Sequence, residues 1–227
     1  MKHRLRYNYA YATGIIGFLA LWLAGCGALV TPSPSLQATA STAVVKSYPT
    51  PNSAQMLYSN ALTAPATGWV NGPECGFTGG GLVVRPNGGQ AYICLAPTAP
   101  LTDVSVTVTV QQTSGPSTHA FGIALRHAAP GNYYFFGIDG RGRFTFTTVV
   151  NDVSYSVIPF TAKTVIHSGV NATNRLQVIA KGQFITLLVN GVPVGQATLT
   201  TFSSGVVGLR GINNGEVTYQ QLSIAQV

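Results

Sequence analysis

Charge is scarce in this chain, and acid is scarcest. Of 227 residues 7% are charged, and five are Asp or Glu. Glu74, Asp103, Asp139, Asp152 and Glu216 are far apart in sequence. No short segment therefore offers the pair of facing carboxylates, about 5–5.5 or 6.5–9.5 Å apart, that glycoside hydrolysis generally needs. The same scarcity speaks against a calcium site built from clustered Asp side chains and carbonyl oxygens. Basic residues are also few: setting aside Lys2, Arg4 and Arg6 at the extreme N-terminus reduces the formal charge from +7 to +4. Nowhere do Lys and Arg form the dense stripe that phosphate contacts require, which excludes nucleic acid as a partner. No G-x-S-x-G elbow occurs, and His119, His127 and His167 are isolated from one another. Gly79-Gly80-Gly81 is followed by neither Lys nor a helix, so it is a turn and not a phosphate loop. No cofactor is implied. After residue 55 no segment shows a capped apolar stripe of period 3.6, so helices are not expected there.

Cysteine is nearly absent as well. Of the three, Cys75 and Cys94 lie in the strand-rich part, and an even pair in an exported protein favours a disulfide, with two buried thiols as the alternative. Neither has a second Cys or a His at ligand spacing, so zinc is not indicated. The third, Cys26, ends a targeting segment. Lys2, Arg4 and Arg6 precede the apolar run "GIIGFLALWLA" at residues 14–24, the layout of a signal peptide. Leu23-Ala24-Gly25-Cys26 resembles the lipobox of bacterial lipoproteins. That resemblance implies loss of residues 1–25 and lipidation of Cys26, with the membrane as a partner and the bacterial cell envelope, outside the cytoplasm, as the location. At about 0.8 kcal/mol per buried CH₂, one acyl chain anchors reversibly and two anchor stably. Residues 9–30 carry no charge and just reach the roughly 20 residues of a membrane span, so an uncleaved anchor is the alternative. From residue 26 to 55, Pro, Ser and Thr are scattered without period; as a coil this tether would reach about 30 Å. The expected organisation is thus 1–25 signal peptide, 26–55 lipidated Cys and linker, and 56–227 folded domain.

That domain is patterned in strands. "TDVSVTVTV" puts Val104, Val106, Val108 and Val110 on one face and Ser105, Thr107 and Thr109 on the other, which predicts a half-buried antiparallel strand. In "NYYFFGIDGRGRFTFTTV" a run with aromatics on both faces meets "FTFT" through a turn at residues 139–142, the pattern of a hairpin whose first strand is central. "NRLQVIAKGQFITLLVNGVPVGQATL" adds strands joined at Lys181-Gly182 and at Asn190-Gly191, the latter a strong hairpin signal because both turn positions favour positive φ. Two more strands follow in "GVVGLRGINNGEVTYQQLSI". The fold class is all-β, an antiparallel sandwich or jelly roll.

The closing series, with Asn190-Gly191, then Gly205-Val206-Val207-Gly208-Leu209, then Tyr219, resembles the last strands of concanavalin A-like lectin/glucanase domains, including the laminin G-like and keto-disaccharide hydrolase-like branches. "FGIALRHAAPGNYYFFGIDGRGRFTF" resembles their mid-domain hairpin. The likeness spans residues 58–224 and implies a jelly roll that can host lectins, hydrolases or adhesion modules. The E-x-D-x-x-E pattern of the family's glucanases is missing, leaving Asp139 with Asp152 as a poor candidate for a catalytic pair. Strand faces rich in Thr, Ser, Asn and Gln with interspersed Tyr and Trp suit stacking on sugar rings and hydrogen bonding to hydroxyls. Trp69, Arg126, Tyr133 and Tyr155 are the candidate ligand-binding residues, with core positions for Trp69 and Tyr133 and an Arg126–Asp139 pair as the plainer alternatives. A lipid-anchored module that binds a glycan or protein without catalysis is the expected function. A sugar-active hydrolase or lyase and a purely structural envelope protein are the alternatives.

Overall fold

The computed structural model describes residues 55–86, 92–211 and 214–227. Cys26, the signal segment and nearly all of the linker lie outside the described residues. Those described form strands only: β1 (Met56–Asn60), β2 (Cys75–Thr78), β3 (Gly81–Val84), β4 (Tyr92–Leu95), β5 (Val104–Gln112), β6 (Phe121–Ala129) and β7 (Asn132–Ile138). They continue with β8 (Arg143–Val150), β9 (Val153–Ala162), β10 (Thr173–Lys181), β11 (Phe184–Val189), β12 (Val192–Thr198), β13 (Val206–Gly211) and β14 (Val217–Gln226). Two antiparallel sheets result, in jelly-roll fashion. One runs β12-β11-β10-β5-β14-β3-β2, with β1 paired to the later part of β14; the other runs β4-β13-β6-β7-β8-β9.

Alternation decides what the sheets bury. The four Val residues of β5 enter the core with Leu176 and Val178 of β10 and Leu222 and Ile224 of β14. From the facing sheet, Ile123, Leu125, Tyr134, Phe136, Phe144 and Phe146 meet them. The other face of β5 is more covered than a half-buried strand implies: Ser105 and Thr107 are also buried, because β5 is central and Gln177 of β10 donates across it to Ser105 Oγ. At about 25 cal/mol per Å² of apolar surface, this interior is the main source of stability. Cys75 and Cys94 are joined by a disulfide. It ties β2 to β4, an edge strand of each sheet, and so closes one open side of the sandwich.

The sandwich has two distinct poles. At one, the chain enters: the Gln226 amide donates to the Gln55 carbonyl, and the Gly182 amide donates to Asp103. At the other, the loops after β5, β7 and β9 and the loop before β14 bond to one another through Gly169 to Gly140, Asn171 to Gln112 and Thr113 to Glu216. The turn at residues 139–142 forms there as the sequence predicts, closed by the Gly142 amide on the Asp139 carbonyl.

Candidate functional site

In β7 the side chains split between two environments. Tyr134, Phe136 and Ile138 enter the main core, whereas Tyr133 and Phe135 lie on the outer face of the six-stranded sheet with Ala124, Val149 and Ile93. This second apolar cluster depends on Gly137: a Cβ there would come within 2.5 Å of the Phe135 ring, so the missing side chain leaves room for the ring to lie against the sheet. Arg210 covers the ring. Leu209 is in the core, so alternation turns Arg210 outward, and its guanidinium carbon sits 4.2 Å from the Phe135 centroid and 5.7 Å from that of Tyr133. Cation–π contacts of this kind contribute about 0.5–2 kcal/mol. His127 stacks on Tyr133 at 5.7 Å and 21°.

Above this floor lies a depression of about 290 Å³. Ile93, Tyr133 and Val149 supply apolar lining, and Tyr92, Asp152, Ser154 and Arg210 supply polar groups. Asp152 reaches the rim because Asn151 and Asp152 adopt φ of 49° and 65°, both left-handed, and so form a primed turn between β8 and β9. Its amide donates to the Gly131 carbonyl, which packs this hairpin tip against the one between β6 and β7. Gly131 has φ 71°, and a Cβ there would lie 2.7 Å from Asp152 Oδ1. Arg210 Nε is buried without an acceptor among the described residues, and Arg210 forms no ion pair with Asp152. Burial, partly opposed by Tyr133 and Tyr219, pulls the Arg210 pKa below the usual guanidinium range. It remains a cation at neutral pH. A larger depression of about 390 Å³ on the β11–β12 hairpin is lined by Phe184, Ile185, Thr186, Gln196, Ala197 and Thr198 and contains no ionisable group.

Of the four residues singled out in the sequence, the depression beside Arg210 contains only Tyr133. Trp69 is a core residue: it is buried, its indole N–H donates to Tyr58 Oη at 2.6 Å, and its ring meets Phe77 edge-on at 5.9 Å. Arg126 does not belong on a ligand surface, being 1% exposed. Nor does it pair with Asp139. Its guanidinium donates to the carbonyls of Phe202, Thr102 and Gly182 at 2.9, 3.1 and 2.6 Å, at the chain-entry pole. Asp139 lies at the far pole and accepts from Arg143 and from two backbone amides, which also separates it from Asp152. Tyr155 is exposed but faces the other way: it pairs with Thr148, which pairs with core-facing Tyr134, while its neighbour Ser154 pairs with Val149 on the outer face. Arg210, Tyr92 and Ser154 were not anticipated. Arg210 had a readable signal, because alternation from Leu209 in "GLRG" directs it outward.

No protein-family model matches the chain, and no curated protein matches it. Solved structures do. The carbohydrate binding module CBM66 from Bacillus subtilis superposes with a TM-score of 0.57 at 18% identity, covering 75% of this chain and 97% of that one. A Bacillus subtilis protein of unknown function with a galectin-like fold gives 0.61 at 12% identity over 76% and 96% of the two chains. A chain from the endo-acting O-glycanases of the human gut microbiota gives 0.55 at 11% identity over 76% and 100%. At such identities the likeness defines the fold. The class is therefore an all-β, galectin-like sandwich.

Proposed function

We propose that this protein is a glycan-binding module held at the cell envelope by lipid on Cys26, and that it binds without cleaving. The observation that carries the reading is the pairing, in one depression, of an apolar floor with two unpaired and opposite charges. A sugar ring presents C–H faces and hydroxyls. The floor of Ile93, Tyr133 and Val149 suits the former; the latter accept from Arg210, donate to Asp152 and do both with Ser154. Carbohydrate recognition by a neighbour of the same fold supports the reading. Non-catalysis is proposed because Asp152 is the one carboxylate lining the depression, and hydrolysis by paired carboxylates needs two.

The test is a glycan array probed with the full-length protein in detergent. Arg210→Ala and Asp152→Asn should each weaken the best-bound glycan about 10–100-fold, taking about 1.5–3 kcal/mol per charged hydrogen bond. Asn is at ease in left-handed turns, so the second variant keeps the hairpin. Undiminished binding by both variants refutes the site; sugar release that Asp152→Asn abolishes refutes the absence of catalysis. For the anchor, the intact mass of membrane-extracted protein should lack residues 1–25 and include acyl chains, and Cys26→Ser should accumulate the precursor. Normal cleavage without acyl mass overturns lipidation.

A further inference from the structure

The far pole carries two exposed cations side by side in one depression. A depression of about 370 Å³ lies there between the β7–β8 turn and the loop after β9, lined by Arg141, Lys163, Thr164 and Ser168 among others. Both cations are exposed. Neither has an acidic partner among the described residues, and the reason is local. Asp139 is buried, and its carboxylate is taken up by Arg143 Nε, Arg143 Nη2 and the amides of Arg141 and Arg143. Glu216 is paired with Arg85 at 2.6 Å. The nearby acids are thus already neutralised. At the chain-entry pole, by contrast, Asp103 accepts from the Gly182 amide beside Lys181 and attracts the buried Arg126 cation. The exposed cations Arg141 and Lys163, without an acidic partner among the described residues, therefore lie at the pole opposite the point where the chain enters.

We infer that this pole binds an acidic polysaccharide, with sugar carboxylates held by Arg141 and Lys163 and sugar hydroxyls by Thr164 and Ser168. Arg offers a planar fork that matches a carboxylate, and Lys supplies a point charge beside it. A polysaccharide suits the lining better than a lipid surface, because Thr164 and Ser168 offer hydroxyl partners to sugar hydroxyls while Ala162 and Ile166 offer contact to C–H faces. The surface is independent of the depression under Arg210, being formed by different strands and loops.

Polygalacturonate is the probe, with neutral dextran as control, titrated against the full-length protein in detergent at 50 to 500 mM NaCl. Polygalacturonate should bind, weaken steeply as salt rises, and lose about tenfold in affinity in Arg141→Gln/Lys163→Gln, the scale expected for two exposed ion pairs. Arg141→Gln/Lys163→Gln should leave the affinity for the best-bound glycan of the array unchanged, so failure of the outer-face site and failure of this one are distinguishable. Salt-independent binding, equal binding by the double variant, or equal affinity for dextran overturns the proposal. So does double-variant-sensitive binding to phosphatidylglycerol vesicles in the absence of polygalacturonate binding, which would assign the pole to a membrane.

Discussion

Arg126 provides the sharpest test of the structural account, because the same residue could be mistaken for a ligand contact. Among the described residues it is the largest fully buried side chain, and its cation has no carboxylate partner there. Three carbonyls from separate loops, at Thr102, Gly182 and Phe202, share its charge instead. Arg126→Met keeps much of the volume and removes all three bonds. Each stranded carbonyl costs about 1–3 kcal/mol, while release of the buried charge recovers part of that, for a net loss of about 3–5 kcal/mol. In a domain of this size about 1 kcal/mol moves Tm by about 2–4 °C, so the variant should melt about 10–15 °C lower by scanning calorimetry. Arg126→Lys should recover only part of this, since one ammonium cannot span the three directions of the fork. Glycan affinity of the folded fraction should not change. A Tm within 2 °C of wild type, or a selective loss of ligand with Tm intact, refutes the clamp and returns Arg126 to the ligand surface.

Two further outcomes follow from the fold. Breaking the Cys75–Cys94 bridge, which spans 19 residues of sequence, should cost about 3 kcal/mol by loop-closure entropy. Cys75→Ala/Cys94→Ala should then melt about 10 °C below wild type at the scale already used, and an unchanged Tm would show that the sandwich edge needs no tie. Burial pulls the pKa values of His119 and His127 below 6.5, so their neutral forms are favoured in the folded state. The unfolded chain then binds more protons as pH drops, and stability is complete above about pH 6.5 and lost below it. Tm should fall between pH 7.5 and 5, and His119→Gln/His127→Gln should flatten the fall; an equal fall in that variant places the titration elsewhere.

The strands and most hairpins were legible because alternation and turn chemistry act over a few residues. Val104 to Val110 alternate into the core, and Asn190-Gly191 takes φ of 51° and 82° as a primed turn should. Candidate recognition residues were less legible because exposure depends on pairings that no local pattern states. Tyr133 and Tyr155 are both aromatics on alternating strands, yet pairing puts one beside Val149 on the outer face and the other beside Thr148 on the opposite face. Trp69 was drawn into the core by Tyr58 and Phe77, partners from two other elements. The turn that places Asp152 lay hidden in "VVNDVS", where Asn-Asp has the same geometry as Asn-Gly but a weaker signal.

Polarity alone is a poor guide to a binding face, and the two sheets show why. The outer side of β5, β10 and β11 has the Thr, Ser and Gln expected of a sugar-binding surface. Those groups serve one another: Gln177 donates to Ser105, and Gln196 to Thr186. A ligand arriving there must replace bonds already made, and an exchange of equals yields little net affinity. Beneath Arg210 the situation is reversed. The guanidinium is held by ring faces, which satisfy its charge in part, and Asp152 stands across from it unbridged. A ligand hydroxyl would add bonds there instead of exchanging them. The same logic explains the buried outer cluster: Phe135 and Tyr133 hold Arg210 in one orientation before any ligand arrives, so less side-chain entropy, about 0.5–1.5 kcal/mol per long side chain, is lost on binding.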